Sequence, residues 1–531
     1  MENFLHAQTL ILFLMLVATL VAIVTRRIRL PYTVSLVLVG LFLSVTRPLD
    51  IEVTPELILA IFIPPLVFEA AFHLDLGLLR ENLVPILVLA VPGVALTAAI
   101  VGAIVVWGTG MGWGAATVFG ALIAATDPVA VIALFRSLGV ARRLAVALEG
   151  ESLFNDGTAI VLFRIAVAAT LAGSFDPAVG LLEFLEVSLG GLFIGVGLGW
   201  LAAQLVARLE DRLVVTTLTP LLAYGAYLAA EQVHVSGVLA VVGAGLVCGN
   251  MGLAGASPTT KIMLFNLWEV LAFVANSLVF LLIGLTVDLP QLTENVVPIA
   301  VAVGAVLVSR VAVVYGLSGL LHIGRRGRPH LPLRWRHVLF WGGLRGAVSL
   351  ALALSLPAVL PERETLQAMA FGVMLFTLLG QGTTIHFLLR RLGLISLPQH
   401  RLAREKRLGR LFAAHAGLRR LERLHREGLL TDEMWAGLRE DYRQARQRLI
   451  EEMNRLFREH AELEREMLIQ ARREALQAER GALGDALRRG LISTVVYEEL
   501  TEEVDRRLEA LEMIQAALRG ERAGELEKDE A

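Results

Sequence analysis

Long runs of apolar residues separated by short polar loops fill the first three quarters of the chain. Runs of about 17–25 apolar residues are long enough to cross a bilayer as helices. The pattern therefore predicts an all-α polytopic membrane protein. Its thirteen predicted transmembrane helices are 4–25, 31–46, 55–73, 83–107, 113–135, 141–172, 183–207, 213–231, 234–252, 262–286, 294–321, 337–357 and 366–389.

The pattern changes near residue 395, where charged residues become frequent. Apolar positions then recur at three- and four-residue steps, which predicts one long helix with a single apolar stripe. The stripe consists of Leu438, Tyr442, Ala445, Leu449, Met453, Leu456, Leu463 and Met467. We predict a transmembrane domain over 1–391 and a cytoplasmic helical domain over 395–531.

Two segments of this tail resemble each other. Residues 428–431 (Gly-Leu-Leu-Thr) followed by Trp435 match residues 490–493 (Gly-Leu-Ile-Ser) followed by Tyr497. Each segment combines a glycine helix stop with a Thr or Ser N-cap. The tail is expected to form two related helical hairpins, or a bundle that a second subunit completes.

Charge counts support this division and set the orientation. Residues 1–391 contain 44 charged residues, whereas the remaining 140 residues contain 54. With the N-terminus outside, the predicted inner loops contain 17 basic residues and the outer loops two. Cytoplasmic loops carry the excess of Lys and Arg in membrane proteins. We therefore expect a multi-pass protein of the cell (inner or plasma) membrane, with the C-terminus in the cytoplasm.

Several function classes lack their usual signals. The net charge of −2 does not favour nucleic-acid binding, and the single cysteine, Cys248, excludes an intrachain disulfide framework. No phosphate-binding loop, His–Glu metal motif or Ser–His dyad indicates an enzyme, and no cofactor is expected. A cation channel, or a membrane sensor with the tail as output module, remains an alternative, although neither a carbonyl filter nor an output domain is recognisable.

The fifth apolar run contains the sequence Thr126-Asp127-Pro128. Pro128 removes a backbone donor and disfavours helix at the preceding residue. Because backbone groups freed at membrane depth are tolerated only where they line a cavity or are buried in protein, the helix is expected to break at an ion site. Asp127 can compensate the free amides there, and Thr126 can offer oxygen atoms.

The sixth run contains a second polar group of residues. Ser152 and Asp156 are four residues apart and share a helix face, while Glu151 and Asn155 share the adjoining strip. Oxygen atoms of Ser152, Asp156 and the nearby break suit a hard cation. A carboxyl group kept from water can hold a proton at one time and Na⁺ at another, which is enough to exchange the two ions.

The twelfth run contains Gly342-Gly343-Leu344-Arg345-Gly346, which predicts a second interruption unless the glycines only permit close helix packing. The two interruptions are seven helices apart. That spacing is consistent with two inverted six-helix repeats joined by a linking helix, with two discontinuous helices that cross.

These motifs together resemble the cation/proton antiporter-1 family, the NhaP-type antiporters and the eukaryotic NHE exchangers. The resemblance covers about residues 5–391. It is carried by Pro64–Ala70, Thr126–Pro128, Gly150–Gly157, Trp268–Glu269, Leu282–Leu285 and Gly342–Ser349.

The resemblance implies a role for several residues. Asp156 matches the ion-binding and proton-carrying aspartate, and Asn155 matches its Asn neighbour. Thr126, Asp127 and Ser152 match positions around Na⁺, and Glu69 matches a glutamate near the site. Glu151 matches a buried glutamate that pairs with an arginine of the eleventh span, here Arg310, and Arg345 is the alternative partner. The family fold also implies a homodimer.

The resulting hypothesis is a secondary antiporter that exchanges Na⁺ or Li⁺ for H⁺ by alternating access. Asn155 leaves one titratable carboxylate at the pair, which favours electroneutral 1:1 exchange. A K⁺/H⁺ antiporter with the same machinery is the alternative, because hard oxygen ligands do not separate Na⁺ from K⁺. Sequence alone leaves open the pH profile, the direction of transport, and any regulatory ligand or self-association of the tail.

Overall fold

The structure, a computed structural model, describes residues 2–28, 31–46, 54–55, 58–138, 140, 142–208, 211–252, 258–319, 332–394, 399–508 and 510–511. The chain divides into two compact units. The first comprises Met1–Ser396 and the second Leu397–Ala531.

All regular elements in the described part of the first unit are helices. In chain order they are α1 (Glu2–Ile28), α2 (Tyr32–Thr46), α3 (Ile63–His73), α4 (Leu76–Ala90), α5 (Pro92–Thr109), α6 (Trp113–Leu122), α7 (Val129–Leu138), α8 (Arg142–Ala172), α9 (Pro177–Arg208), α10 (Arg212–Gln232), α11 (Gly237–Val247), α12 (Pro258–Thr286), α13 (Leu289–Glu294), α14 (Val296–Val311), α15 (Leu333–Trp341), α16 (Ala347–Leu354), α17 (Arg363–Leu375) and α18 (Gly382–Arg391). Wider π-helical turns adjoin α3, α11, α14 and α17 at Ile58–Phe62, Cys248–Gly252, Ala312–Leu317 and Phe376–Gln381.

Helix length and apolarity identify a multi-pass membrane protein. In the described residues, seven stretches are long and apolar enough to cross a membrane: Leu76–Thr109, Arg142–Ala172, Pro177–Arg208, Leu213–Gln232, Met263–Thr286, Val296–Leu317 and Arg363–Arg391. Five shorter apolar stretches accompany them: Leu12–Thr25, Tyr32–Thr46, Ile58–His73, Trp113–Leu122 and Gly237–Gly252. The total of thirteen spans stays a prediction.

Prolines and glycines interrupt three of the apolar runs. The fifth run is non-helical between Leu122 and Val129, around Pro128, and the twelfth between Trp341 and Ala347. The fourth run was expected to be one helix, but it is divided at Val91, where Pro92 begins α5. Proline suits the first turn of a helix because its missing N–H would have no partner there.

A row of small residues packs α9 closely against α11. Gly191, Gly195 and Gly199 recur every four residues, and a Cβ on each would lie 1.9–2.8 Å from a backbone oxygen of α11 or of the residue before it. Only residues without a side chain allow two helix backbones to approach this closely. This packing fixes α11 to the long helix α9.

The second unit is helical in its described part. Its helices are α19 (Gln399–Arg426), α20 (Asp432–Glu459), α21 (Ala461–Arg488) and α22 (494–508). Two apolar groups hold them together. One consists of Leu408, Leu411, Met453, Leu456, Phe457 and Leu463, and the other of Ile469, Leu476, Leu483, Val504, Leu508 and Leu511.

The two similar tail segments form the same kind of turn. Gly428 and Gly490 adopt positive φ angles of 73° and 69°. In each turn the following residue donates a hydrogen bond to the carbonyl five positions earlier, and Thr431 or Ser493 caps the next helix. These are the hydrogen bonds of a Schellman-type helix end followed by an N-cap.

The apolar stripe from Leu438 to Met467 was predicted to lie on one long helix, and this prediction is wrong because two helices share it. The helix is interrupted at His460, whose φ of −137° and ψ of 80° are not helical. Leu463 and Met467 therefore belong to α21, although Leu463 still packs with Met453 and Leu456. The apolar period continues across the interruption, so periodicity alone gives no sign of it.

The close packing of α9 on α11 predicts a position-dependent effect of alanine. Gly195→Ala should lower the melting temperature of the purified protein, because its Cβ would overlap the Ala240 carbonyl oxygen. Overpacking of this kind costs about 1–3 kcal/mol. Gly197→Ala, on the same helix with open space around it, is the matched control and should not lower it. Equal melting temperatures for the two variants would contradict the packing described here.

Candidate functional site

Residues of α8 hold the interruption between α6 and α7 through three hydrogen bonds to Thr126. The Ser152 hydroxyl donates to the Thr126 carbonyl oxygen over 2.5 Å. The Asn155 amide nitrogen donates to Thr126 Oγ1 over 2.5 Å, and Asn155 Oδ1 accepts from the Thr126 amide over 3.2 Å. The backbone of the interruption is thereby fixed against the helix that carries Asp156.

The two interruptions meet at Asp127. Its backbone amide donates to the Leu344 carbonyl oxygen over 2.8 Å. Its carboxylate accepts from the backbone amide of Val129 over 2.9 Å and from that of Ala347. A Cβ at Gly346 would overlap the Asp127 side chain, so glycine is required there. Asp127 therefore caps the N-termini of both α7 and α16, where helix dipoles favour negative charge.

Two buried arginines bind the carbonyl groups at the opposite helix ends. Arg345 is 1% exposed, and its Nη1 donates to the carbonyl oxygen of Ala125, just after α6. Arg310 donates from Nη2 to the Leu339 carbonyl oxygen, in the last turn of α15, over 2.9 Å. Positive charge is favoured at helix C-termini for the same reason that negative charge is favoured at N-termini.

Glu151 pairs with Arg310 rather than with Arg345. Arg310 Nη1 and Nη2 lie 2.5 Å and 3.1 Å from the two carboxylate oxygens of Glu151. The exposed fractions of Glu151 and Arg310 are 1% and 7%. A two-point, buried pair of this kind has both charges compensated. Arg164, the third arginine within an apolar run, forms a partly exposed pair with Glu231.

Asp156 is the acid of this group that lacks a direct partner. In the part of the chain that the structure describes, its carboxylate accepts no hydrogen bond and forms no ion pair. Asp127 and Arg345 act on it electrostatically at longer range. The side chain is partly buried, and a carboxylate withdrawn from bulk water without a partner needs a proton, a cation or water to compensate its charge.

A cavity of about 1160 Å³ reaches Asp156. Its polar lining includes the predicted residues Glu69, Thr126, Asp127, Ser152 and Asp156. The described residues of the lining include no Lys or Arg, so the cavity attracts cations.

The remaining predicted site residues lie around this cavity rather than on its surface. Asn155, Glu151, Arg310 and Arg345 do not belong to its lining. Asn155 is 1% exposed and supports Thr126 from behind. Glu69 also contacts His73, whose Nδ1 lies 3.3 Å from Glu69 Oε1.

The lining also contains polar residues to which sequence reasoning gave no role at the site, among them Glu149, Glu269 and Asn276. On α12, Glu269, Phe273 and Asn276 follow the spacing of one helix face. Polar residues at that spacing within an apolar helix are the signal that could have identified this wall.

Comparison with known proteins places the chain among ion exchangers. The sequence profile of the transmembrane sodium/hydrogen exchanger family matches residues 13–391. The Na(+)/H(+) antiporter NhaS2 of Synechocystis is 36% identical over 94% of this chain and 93% of its own length. ApNhaP, a Na(+)/H(+) antiporter of Aphanothece halophytica, is 42% identical over 71% of this chain and 73% of its own.

A solved structure shares the fold. The sodium proton antiporter MjNhaP1 of Methanocaldococcus jannaschii aligns with a TM-score of 0.62 and 21% sequence identity. The alignment covers 75% of this chain and 100% of the other. The family profile spans well over half of the chain and includes both interrupted helices. The protein is therefore a member of the sodium/hydrogen exchanger family, a multi-pass membrane transporter rather than an enzyme.

Proposed function

We propose that the protein exchanges Na⁺ or Li⁺ for H⁺ across the membrane, with both ions competing for Asp156. The observation that carries this proposal is the uncompensated carboxylate of Asp156 at a cation-attracting cavity. The relatives named above are sodium/proton antiporters, which supports the same ion pair. In this proposal Na⁺ binds oxygen atoms of Asp156, Asp127, Thr126 and Ser152, with Glu69 nearby and Asn155 as a support.

The charges of Glu151, Asp127, Asp156, Arg310 and Arg345, counted apart from the other carboxylates of the cavity lining, favour electroneutral 1:1 exchange. Two cations, Arg310 and Arg345, stand against three carboxylates, Glu151, Asp127 and Asp156. The group therefore has a net charge of −1, which either one proton or one Na⁺ neutralises. Because buried net charge is costly, the carrier should change conformation readily only when one of the two is bound.

The positive-inside pattern supports thirteen spans, with the N-terminus outside and the C-terminal helical unit in the cytoplasm. In this topology the cavity opens to the cytoplasm, since Leu138 of its lining lies in a predicted inner loop and His386 lies shortly before Arg390 and Arg391 of another. Alternating access then moves Asp156 between the two sides. The interruptions in the fifth and twelfth spans would correspond in two inverted repeats, and we propose a homodimer in the plasma or inner membrane.

Removing the charge of Asp156 tests the proposed ion site. Asp156→Asn should reduce Na⁺-driven proton movement in proteoliposomes to background. The amide side chain does not take up a proton, and it has no negative charge to bind Na⁺. The measurement uses an internal pH dye with Na⁺, Li⁺ and K⁺ added in turn. Asp176→Asn is the matched control, because this exposed residue caps α9 and does not belong to the cavity lining. Near-normal exchange by Asp156→Asn would reject the site, and a response to K⁺ alone would indicate a K⁺/H⁺ antiporter.

Membrane voltage tests the stoichiometry. Exchange of one Na⁺ for one H⁺ moves no net charge, so its rate in vesicles should not change when a K⁺ diffusion potential of either sign is imposed with valinomycin. Asn155→Asp adds a carboxylate beside Asp156 and should make any remaining exchange depend on voltage. Voltage-dependent exchange in the wild type would contradict 1:1 coupling while leaving Na⁺/H⁺ exchange itself intact.

The Glu151–Arg310 pair is proposed to be structural. Glu151→Gln should lower the thermal stability of the purified protein strongly, because an unpaired buried charge costs about 3–5 kcal/mol. Glu231→Gln breaks the more exposed pair with Arg164 and should cost about 0–1 kcal/mol. Similar melting temperatures for the two variants would argue against a structural role for Glu151.

A further inference from the structure

One wall of the cavity belongs to α12, which packs along α2 and against α3. Glu269, Ala272, Phe273 and Asn276 of this helix line the cavity. Their three- and four-residue spacing means that one face of α12 is turned towards the cavity. Asn276 lies two helical turns from Glu269 along this face.

Among the residues that the structure describes, none is a hydrogen-bond partner of the Asn276 side chain. The residue is only 9% exposed, and its amide makes no hydrogen bond with the described residues. Its neighbour Ser277 differs, because that hydroxyl donates to the Phe273 carbonyl oxygen and contacts the Tyr32 hydroxyl at 2.7 Å. Since buried polar groups are almost always hydrogen-bonded, the contents of the cavity must satisfy the Asn276 amide.

We propose that Asn276 binds the transported alkali cation through its amide oxygen as the ion passes between the cavity mouth and Asp156. The inference rests on the proposed Na⁺/H⁺ exchange and adds a ligand on the α12 wall. A neutral amide oxygen is a suitable ligand for a hard cation and can replace one water of its hydration shell. It does not take up a proton near neutral pH, so it distinguishes the two substrates.

This chemical difference makes the proposal testable by kinetics. Asn276→Leu keeps the approximate size of the side chain and removes its oxygen. It should raise the KM for Na⁺ about fivefold, the effect expected for one lost polar contact, and leave the maximal rate nearly unchanged. The proton concentration for half-maximal exchange at saturating Na⁺ should stay the same. Both constants are measured in proteoliposomes by the pH-dye assay over a range of Na⁺ and pH.

Two further variants separate ligand loss from structural damage. Asn276→Asp restores an oxygen at the same position and should return the KM for Na⁺ towards the wild-type value or below it. Asn266→Leu changes the same residue type on the same helix, at an exposed position outside the cavity lining, and should have no effect.

The outcomes distinguish this inference from the proposed function. If the wild type exchanges Na⁺ for H⁺ and Asn276→Leu has an unchanged KM, only the role of Asn276 is rejected. A parallel change in the proton constant, or no recovery in Asn276→Asp, would indicate a general distortion of the site and would also reject it. A wild type that exchanges no alkali cation would reject the proposed function itself. If Asn276→Leu does not fold, Asn276→Ala replaces it under the same criteria.

Discussion

The site depends on compensation of the helix ends that two interrupted helices leave inside the protein. An interruption at this depth frees amides on one side and carbonyls on the other, and neither group finds water in hydrocarbon. Asp127 binds amides of α7 and α16, while Arg345 and Arg310 bind the carbonyls of Ala125 and Leu339. The charges of Asp127, Arg310 and Arg345 therefore stabilise the ends of the interrupted helices. Asp156, whose neighbours are already engaged, is left available for the ion exchange proposed above.

The same constraint explains why an amide rather than a second acid stands at position 155. Asn155 both donates to Thr126 Oγ1 and accepts from the Thr126 backbone amide. A carboxylate could accept the second hydrogen bond but could not donate the first. The residue that positions Thr126 is thus also the residue that leaves one titratable carboxylate in the pair formed by residues 155 and 156. Local hydrogen bonding and proposed stoichiometry are linked through this side chain.

The sequence predicted the features that depend on local chemistry and missed those that depend on tertiary contacts. Pro128 and the glycines at 342, 343 and 346 indicated both interruptions, because proline and glycine act on their own backbone. The family resemblance indicated Arg310 as the partner of Glu151, but the residues alone did not exclude Arg345, because both arginines lie in apolar runs far along the chain. The spacing of Glu269 and Asn276 indicates a polar helix face, but only the folded structure shows that this face meets the cavity. The break at His460 was missed because the apolar period continues through it.

The shape of the cavity favours a carrier over a channel. On α8 the lining residues are Glu149, Ser152, Leu153 and Asp156, and no described residue beyond Asp156 takes part. The next residue, Gly157, packs so closely on Leu239 of α11 that a Cβ there would lie 2.5 Å from that side chain. Along α8 the cavity therefore ends at the carboxylate of Asp156. A channel requires a path that continues past its binding site, whereas a carrier requires a site that one side reaches at a time. Gly191, Gly195 and Gly199 pack α11, and with it Leu239, closely on α9. In the alternating access proposed above, exposure of Asp156 to the other side therefore involves movement of α8 relative to α11.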